Sequence, residues 1–265
     1  MRNALESLVA LAVLGVCTSG NPARAEEQKT TQDFLNYWSN YFEQHAPEYL
    51  EINPAGTVPT LIHDGLVFTE STPMCEYISA AFPGISLVPR DPKLRYRMRW
   101  WCRQVDINAA ALSVLGWHNH LGPMVRQKPK EELERLIARI PSKERRLFWK
   151  TASQATFTEE QLANARARVG AWVARMDARF AESPYLVGPE YTVADLVAFA
   201  NFYALPLTVP EYANEQRVPH YFDWLRRIYR RPATLATYAN ARSLGRRAFQ
   251  IARQIGVLPP EGQPS

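Results

Sequence analysis

A short segment rich in proline and glycine, Asn53-Pro54-Ala55-Gly56-Thr57-Val58-Pro59, constrains the fold more than any other part of this chain. Gly and Pro at this density end both helices and strands, so the segment predicts a tight turn that leads into a short strand. Pro59 has no N–H, whereas Val58 keeps both its N–H and its C=O. If the Val58–Pro59 bond is cis, these groups stay open at a sheet edge. Such an edge pairs with the backbone of an extended peptide by strand addition.

A β-hairpin and a helix are predicted directly after this turn. Residues 60–62 and 66–68 are apolar runs separated by His63-Asp64-Gly65, a pattern typical of two antiparallel strands joined by a tight turn. Glu70-Ser71 then predicts the start of a helix that ends near Phe82. The serine hydroxyl and the first backbone N–H groups of that helix are placed where a carboxylate would bind.

These motifs resemble those of the glutathione transferase superfamily, whose thioredoxin-like domain uses such a proline turn and such a Glu-Ser pair to hold glutathione. Within the superfamily the chain is most similar to the bacterial glutathione-dependent β-etherases, which cleave aryl ethers derived from lignin. The motifs that carry the resemblance are Phe42-Glu43-Gln44-His45, Asn53-Pro54-x-Gly56-x-Val58-Pro59, His63-Asp64-Gly65 and Thr69-Glu70-Ser71-Thr72. The resemblance covers residues 42–245.

The resemblance implies a glutathione transferase-like fold of the class α/β plus all-α. A chain of 265 residues with 46% hydrophobic residues is long enough to bury a sizeable core in one or two domains. We expect a thioredoxin-like domain with its first strand missing over residues 1–84 and a linker over residues 85–92. An all-helical domain is expected over residues 93–265.

The helical domain is also indicated by the periodicity of its apolar residues. Leu94, Met98, Trp101 and Val105 follow helical spacing and predict a long helix that continues towards Leu115. Two further helices are predicted over residues 131–140 and 159–180.

Thr192 and Asp195 predict the start of another helix, since the acid three residues after the threonine can reach back to its N–H. With Leu186-Val187-Gly188 before it, this pair resembles the folding motif of the transferase C-terminal domain. We therefore assign it a structural role and no catalytic one.

Charge and cysteine content bear on whether the chain has a nucleic-acid surface, a disulfide scaffold or a zinc site. The net charge is +5, and many arginines fall late in the chain. They form either a nucleic-acid surface or the solvated face of C-terminal helices; the second is favoured because no nucleic-acid motif accompanies them. Cys17, Cys75 and Cys102 form no CxxC pair, so neither a disulfide scaffold nor a zinc site is indicated. Cys75 is expected to be a reduced thiol in the core.

Two interpretations of the N-terminus stay open. The apolar run from Leu8 to Val16, followed by Ala23-Arg24-Ala25, resembles a signal peptide with its cleavage site. Residues 3–8 instead look like the first helix of β-etherase-like transferases, which we favour. The first interpretation predicts a periplasmic protein and the second a cytoplasmic one. No run reaches the ~20 apolar residues that a membrane span needs, so no membrane partner is expected.

The resemblance implies which residues hold glutathione, the expected co-substrate. Val58, before Pro59, would pair through its backbone with the cysteinyl part of the tripeptide. Glu70 would bind the γ-glutamyl ammonium group and Ser71 the γ-glutamyl carboxylate, which matches the charges. Gln44 and His45 would lie near the glycyl end.

Activation of the glutathione thiol is expected to depend on a hydrogen-bond donor. A free thiol with a pKa of about 8.5 is only about 3% ionised at pH 7. Lowering that pKa by two units needs about 2.7 kcal/mol, whereas a helix N-terminus supplies only about 0.3–1 kcal/mol. In the family the donor lies between the first strand and the first helix, and here the chain is expected to begin at that helix. Asn3 matches an asparagine of the β-etherase motif and is the candidate catalytic donor, while Ala4 replaces the serine of that motif.

The second substrate is expected between the domains, against the long helix. The candidate residues for binding it are Trp117, His118, His120 and Tyr203, because aromatic walls suit a substrate built of aryl rings. A metal site on His118 and His120 is the less favoured alternative, since no third ligand lies nearby in sequence.

The expected reaction is attack of the glutathione thiolate on the carbon that bears an aryloxy group next to a ketone. A homodimer is expected because the family usually forms one. Two alternatives stay open: a non-catalytic protein of the same fold that binds glutathione, aryl ligands or a protein partner, and an exported protein from which residues 1–25 are removed.

Overall fold

The computed structural model describes residues 43–82, 84, 86–154, 156–240 and 242–260. Three of the predictions above lie outside these residues: the first helix or signal peptide, the missing first strand and the catalytic Asn3.

A small α/β unit comes first in the described chain. A 3₁₀ turn over Glu43–His45 precedes α1, Pro47–Ile52. Strand β1 (Thr60–His63) pairs antiparallel with β2 (Leu66–Thr69). Asp64 and Gly65 form the turn between them, and both have a positive φ, as a two-residue hairpin turn requires. The predicted hairpin is therefore confirmed.

Helix α2, Ser71–Ala81, follows the hairpin and packs against it. Its buried residues are Met74, Cys75 and Ile78, which lie on one helical face and join the main core. On the hairpin side, the Tyr77 hydroxyl and His63 Nδ1 are 2.6 Å apart, and the Phe68 ring stacks on Tyr77 at a centroid distance of 3.9 Å. The core thus continues from the hairpin through α2.

The rest of the described chain is helical. In chain order the helices are α3 over Pro92–Gly116, α4 over Gly122–Val125, α5 over Lys130–Ala138, α6 over Lys143–Gln154, α7 over Glu159–Glu182, α8 over Val193–Phe202, α9 over Leu205–Thr208, α10 over Pro219–Tyr229, α11 over Pro232–Asn240 and α12 over Arg242–Gln254. A π-helical turn, Trp117–Leu121, separates α3 from α4. Asp91 caps α3, since its carboxylate accepts hydrogen bonds from the N–H groups of Lys93 and Leu94 at 2.8 and 2.9 Å.

The main core lies where α3 packs against α7 and α8, with α2 on one side. Asp195 is fully buried near its centre and accepts four hydrogen bonds, two of them from the N–H groups of Leu186 and Thr192. The other donors are the Thr192 hydroxyl and the Trp224 indole. The bond from the Thr192 N–H is the one that the sequence predicted, and the pair acts as a structural anchor.

A second, smaller core lies between α4, α5 and α6. Its members are Trp117, Val125, Ile137, Ile140, Trp149 and Ala152. The fold class is as predicted: a two-stranded α/β unit packed on a helical part. Within the described ranges, none of the helices combines the length and the apolar character needed to cross a membrane.

Candidate functional site

The proline turn and the start of α2 lie at the same end of the hairpin. Thr60 pairs with Thr69 as the last register pair at that end, so Pro59 and Glu70 each stand one residue beyond it. The Val58–Pro59 peptide bond is cis, which is the condition that the sequence analysis set for an open edge at Val58. Two segments that are eleven residues apart in sequence are therefore brought together by one strand pair.

Val58 presents its backbone at this end of the hairpin. Its exposed fraction is 39%, and its N–H and C=O form no hydrogen bond with any other residue in the described ranges. A backbone donor and acceptor left open beside a strand end are the groups that an extended peptide pairs with in strand addition.

Two side chains hold the turn from within the α/β unit. The Tyr49 hydroxyl donates to the Thr57 carbonyl at 2.5 Å and lies 2.7 Å from the Thr60 hydroxyl. Asn53 is buried, and its amide donates to the same carbonyl and hydroxyl at 2.9 and 3.0 Å. Its Oδ1 accepts a bond from the Ala55 N–H at 3.1 Å. The turn is thus fixed by a local network of its own polar residues.

Two arginines hold the same turn from the helical part. Arg139, just after α5, donates through Nε and Nη2 to the His45 carbonyl at 3.2 and 3.0 Å. Arg145 on α6 donates to the Gly56 carbonyl at 3.3 Å and to the Ala55 carbonyl. Hydrogen bonds from a charged donor are stronger than neutral ones. Sequence reasoning missed both arginines, because no motif marks a contact between residues about ninety positions apart.

His45 and Gly56 pack directly against one another. Gly56 has φ +58°, and a Cβ there would lie 2.9 Å from Cδ2 of His45. The His45 side chain is only 3% exposed. Burial, followed by the positive charge of Arg145, lowers the pKa of His45 to about 4, so the ring is neutral near pH 7. The ring supports the turn, while the neighbouring Gln44 is half-buried.

Glu70 has an unusual backbone conformation at the start of α2. Its φ is +65° and its ψ is 117°, a region that costs a residue with a Cβ about 1–3 kcal/mol. Its side chain is exposed and forms no cap hydrogen bond with the helix. Ser71, half-buried, is the first helical residue. Strain that is retained at an exposed acid next to a helix N-terminus suggests a binding role for that acid.

Asp106 on α3 is near two charged residues, Arg103 on the same helix and Glu70. Burial raises the pKa of Asp106, the positive charge of Arg103 opposes this rise, and the negative charge of Glu70 adds to it. The carboxylates of Glu70 and Asp106 therefore lie close enough to interact. Sequence reasoning missed these α3 residues, although their spacing of three residues on a helix is the available signal.

The structure separates the four residues predicted to bind a second substrate. Trp117 is buried in the second core, at 4.8 Å from the Trp149 ring, whereas Tyr203 is buried in the main core at 5.5 Å from Tyr238. His118 is half-buried and His120 is exposed.

Arg247 on α12 links two of these residues. Although the residue is exposed overall, partial desolvation of its ring, followed by the positive charge of Arg247, lowers the pKa of His120. Burial raises the pKa of Tyr203, and the same positive charge opposes that rise. The Arg247 guanidinium also donates to the Thr208 hydroxyl at 3.0 Å. The sequence interpretation assigned none of the late arginines, Arg247 among them, to a site.

The two described cysteines are not nucleophiles. Cys75 and Cys102 are both buried and free, and burial raises the pKa of each thiol, that of Cys102 to about 12. Neither of these two thiols therefore offers a reactive thiolate near pH 7. The part of the chain that the structure describes holds no group of three or more His, Cys, Asp or Glu residues arranged to bind a metal ion.

Comparisons with known proteins identify relatives of this chain. The family models "Glutathione S-transferase, N-terminal domain" and "Glutathione S-transferase, C-terminal domain" match residues 32–86 and 142–232. Protein LigF of Sphingobium sp. strain SYK-6 is 38% identical over 201 residues, which are 72% of this chain and 77% of that protein.

Solved structures agree with these sequence matches. The crystal structure of β-etherase LigF from the same strain has a TM-score of 0.73 at 33% identity and covers 90% of this chain and 95% of that one. The fold alone is shared with a theta class glutathione S-transferase from Xanthomonas axonopodis pv. citri, solved with glutathione bound. That comparison has a TM-score of 0.54 at 22% identity and covers 89% of this chain and 92% of the other.

Proposed function

The chain belongs to the glutathione S-transferase family, and we propose that it is a glutathione-dependent β-etherase. Glutathione is the co-substrate. In the proposed reaction, its thiolate attacks the carbon that bears an aryloxy group next to a ketone. A carbon–sulfur bond forms, the carbon–oxygen bond breaks, and the aryloxy group leaves as a phenolate that takes up the proton lost by the thiol.

The observation that carries this proposal is the meeting of Val58 and the Glu70-Ser71 pair at one end of the hairpin. Val58 offers a backbone donor and acceptor to the cysteinyl part of glutathione. Glu70 binds the γ-glutamyl ammonium group, and Ser71 at the α2 N-terminus binds the carboxylate beside it. The positive φ of Glu70 supports this assignment, because strain of this kind clusters at ligand sites.

The glycyl end of glutathione is proposed to lie beside Gln44 and His45. Gln44 has exposed surface for a contact, whereas the buried His45 ring acts by holding the Gly56 turn in place. Arg139 and Arg145 hold the same turn from the helical part and position the site without touching glutathione. The whole tripeptide is then bound by a turn that is fixed from two sides.

The remaining assignments concern the chemistry. Asn3 stays the proposed donor to the thiol, through its amide NH₂. For the aryl ether, we propose contacts with His118, His120 and Tyr203, with Arg247 as an added cation near the last two. Trp117 lies in the second core, so we propose that it supports the neighbouring His118 and His120 and does not itself form an exposed wall of the site. A cation near the departing oxygen favours the phenolate as its negative charge develops.

Two properties of the whole protein are also proposed. A homodimer is expected from the family. A reducing compartment, the cytoplasm, is expected because glutathione must be present as a thiol.

The test is a turnover assay with a β-aryloxy ketone and glutathione, in which the released phenol and the glutathione thioether are quantified. We expect equal amounts of the two products. Binding of glutathione without turnover would support the alternative of a non-catalytic protein of the same fold.

The binding site is tested separately by calorimetric titration of glutathione into Glu70→Ala. We expect at least a tenfold loss of affinity with an unchanged unfolding curve, because Glu70 is exposed. Glu51→Ala, an exposed acid on α1, is the matched control and should bind glutathione normally. Equal affinities of the two variants would contradict the assigned site.

A further inference from the structure

The helical turn that carries His118 and His120 is wider than a turn of α-helix. Over Trp117–Leu121 the chain forms a π-helical turn, in which the Gly122 N–H donates to the Trp117 carbonyl five residues before it. The backbone keeps right-handed helical angles on both sides, so the turn joins α3 to α4 without a break. Single π-turns inside α-helices are frequent at functional sites.

The π-turn determines which side chains face the second core. Trp117 and Val125 are eight residues apart, and both are buried in that core. On an uninterrupted α-helix they would lie about 80° apart, since each residue turns the chain by about 100°. Because the π-turn takes up one extra residue, the other seven place them within about 20° of one another. Both residues can therefore pack into the same core, while His118 stays half-buried and His120 exposed.

Gly122 is the residue that permits this turn. A Cβ at this position would lie 2.8 Å from the Trp117 carbonyl oxygen, the same atom that accepts the Gly122 N–H. It would also lie 3.0 Å from Nη1 of Arg126, but that residue is exposed and its side chain can move away. The carbonyl belongs to the backbone, so it can move away only if the hydrogen bond of the π-turn is broken.

Pro123, the next residue, favours the same geometry. Proline has no N–H, and in a regular α-helix its ring collides with the carbonyl four residues before it, here that of Asn119. A wider turn directly before the proline relieves this collision. Gly122 and Pro123 therefore act in the same direction, the first by leaving room for a carbonyl and the second by disfavouring the narrower helix.

We propose that Gly122 is a positioning residue for the aryl-ether side of the site. By permitting the π-turn it fixes the direction in which His118 and His120 face, and it acts on the substrate through these two side chains. Partial desolvation of the His120 ring and the charge of Arg247, which lower the pKa of His120, report this placement. The effect on turnover rests on the proposed function, whereas the placement of His120 can be measured without any substrate.

The test compares Gly122→Ala with Gly116→Ala, a matched control at the other end of the turn. Gly116 also has right-handed helical angles, and a Cβ there meets no atom of the described residues within 4 Å. The pKa of His120 is measured in the full chain by NMR titration of the imidazole protons, assigned by their loss in His120→Asn. We expect it to rise in Gly122→Ala towards its ordinary value of about 6.5, and to stay lowered in Gly116→Ala.

Turnover of the β-aryloxy ketone gives a second measurement. In Gly122→Ala we expect the KM for the ketone to rise about fivefold, as the loss of one hydrogen bond would produce, with an unchanged affinity for glutathione. Because Gly122 acts through the histidines, its substitution in a His120→Asn background should raise the KM by a smaller factor than in the parent protein. A merely structural role would give equal factors in the two backgrounds, and that result would overturn the proposal.

Pro123→Ala is a second variant, and it adds no atom to the core because Pro123 is exposed. It should raise the pKa of His120 by less than Gly122→Ala does. An unchanged pKa of His120 in a folded Gly122→Ala variant would overturn the proposal; if that variant does not fold, an unchanged pKa in Pro123→Ala would do so. An equal rise in Gly116→Ala would also overturn it. If the parent protein cleaved no aryl ether, the proposed function would fail, and the titration would still decide whether Gly122 places His120.

Discussion

Gly56 and Gly65 form a matched pair that separates backbone strain from packing in the proposed glutathione site. Both have a positive φ, +58° and +76°. A residue with a Cβ is strained in this left-handed region, so replacing either glycine by alanine destabilises the folded state by about 1–2 kcal/mol. Because alanine also restricts the unfolded chain, about 0.4–1 kcal/mol of this cost is offset. The backbone effect alone therefore predicts that each change lowers the free energy of unfolding by roughly 0–1.6 kcal/mol.

The two positions differ in the space around a new methyl group. At Gly65 nothing lies within 4 Å of it, whereas at Gly56 it would lie 2.9 Å from His45 Cδ2 and 3.1 Å from atoms of Leu50 and Pro141. His45 is buried and cannot swing into solvent. Overpacking of this kind costs about 1–3 kcal/mol. We therefore expect Gly56→Ala to lose about 1–3 kcal/mol more than Gly65→Ala.

The measurement is urea unfolding of both variants, followed by titration with glutathione. The m-values should match that of the parent protein, so that the midpoints report stability. Gly56→Ala should also bind glutathione more weakly, since the turn that presents Val58 is displaced, whereas Gly65→Ala at the far end of the hairpin should bind it normally. Equal losses of stability in the two variants would refute the packing argument.

Three further predictions concern the same site. Glu70→Gly should raise the free energy of unfolding by up to about 2 kcal/mol, because glycine relieves the backbone strain at this position. The same change should weaken glutathione binding at least tenfold. A lower stability of this variant in urea unfolding would argue against the strain. Arg145→Met should weaken glutathione binding by about 1–2 kcal/mol through loss of the bonds to the turn, with Lys143→Met as the unchanged control in the same titration. Above pH 6.5 the His45 ring is neutral in both the folded and the unfolded chain. As the pH falls from 6.5 to about 4, the ring takes up a proton in the unfolded chain first, so the free energy of unfolding should fall by about 3 kcal/mol at most. The free energy of unfolding measured across that range should depend less on pH in His45→Asn, whereas the exposed control His220→Asn should behave like the parent protein. The same pH dependence in both variants would show that another group titrates.

The sequence predicted those elements whose cause is local. Glycine and proline end the segment before β1, a two-residue turn sets the hairpin, and apolar spacing marks α3 and α7, which are observed close to the predicted ranges. Helices α1 and α6 were not predicted. In α6 the large apolar residues Leu147 and Phe148 are exposed while Trp149 is buried, so the spacing of its large apolar residues does not mark its buried face.

The residues of the candidate site divide in the same way. Val58, Pro59, Glu70 and Ser71 belong to short motifs, so the sequence alone marks them as candidates, and the register of one hairpin brings them together. Trp117, by contrast, lies inside the second core, and its position depends on packing against α6.

Only the tertiary structure decided how the turn is held and where the charges of the helical part lie. Arg139 and Arg145 reach the turn across about ninety residues of chain, and Arg247 approaches His120 and Tyr203 from α12. An arginine on a helix surface has the same kind of neighbours in sequence whether its side chain faces water or a distant carbonyl. The difference arises from how the helices pack, because packing alone determines which backbone groups come within hydrogen-bond distance.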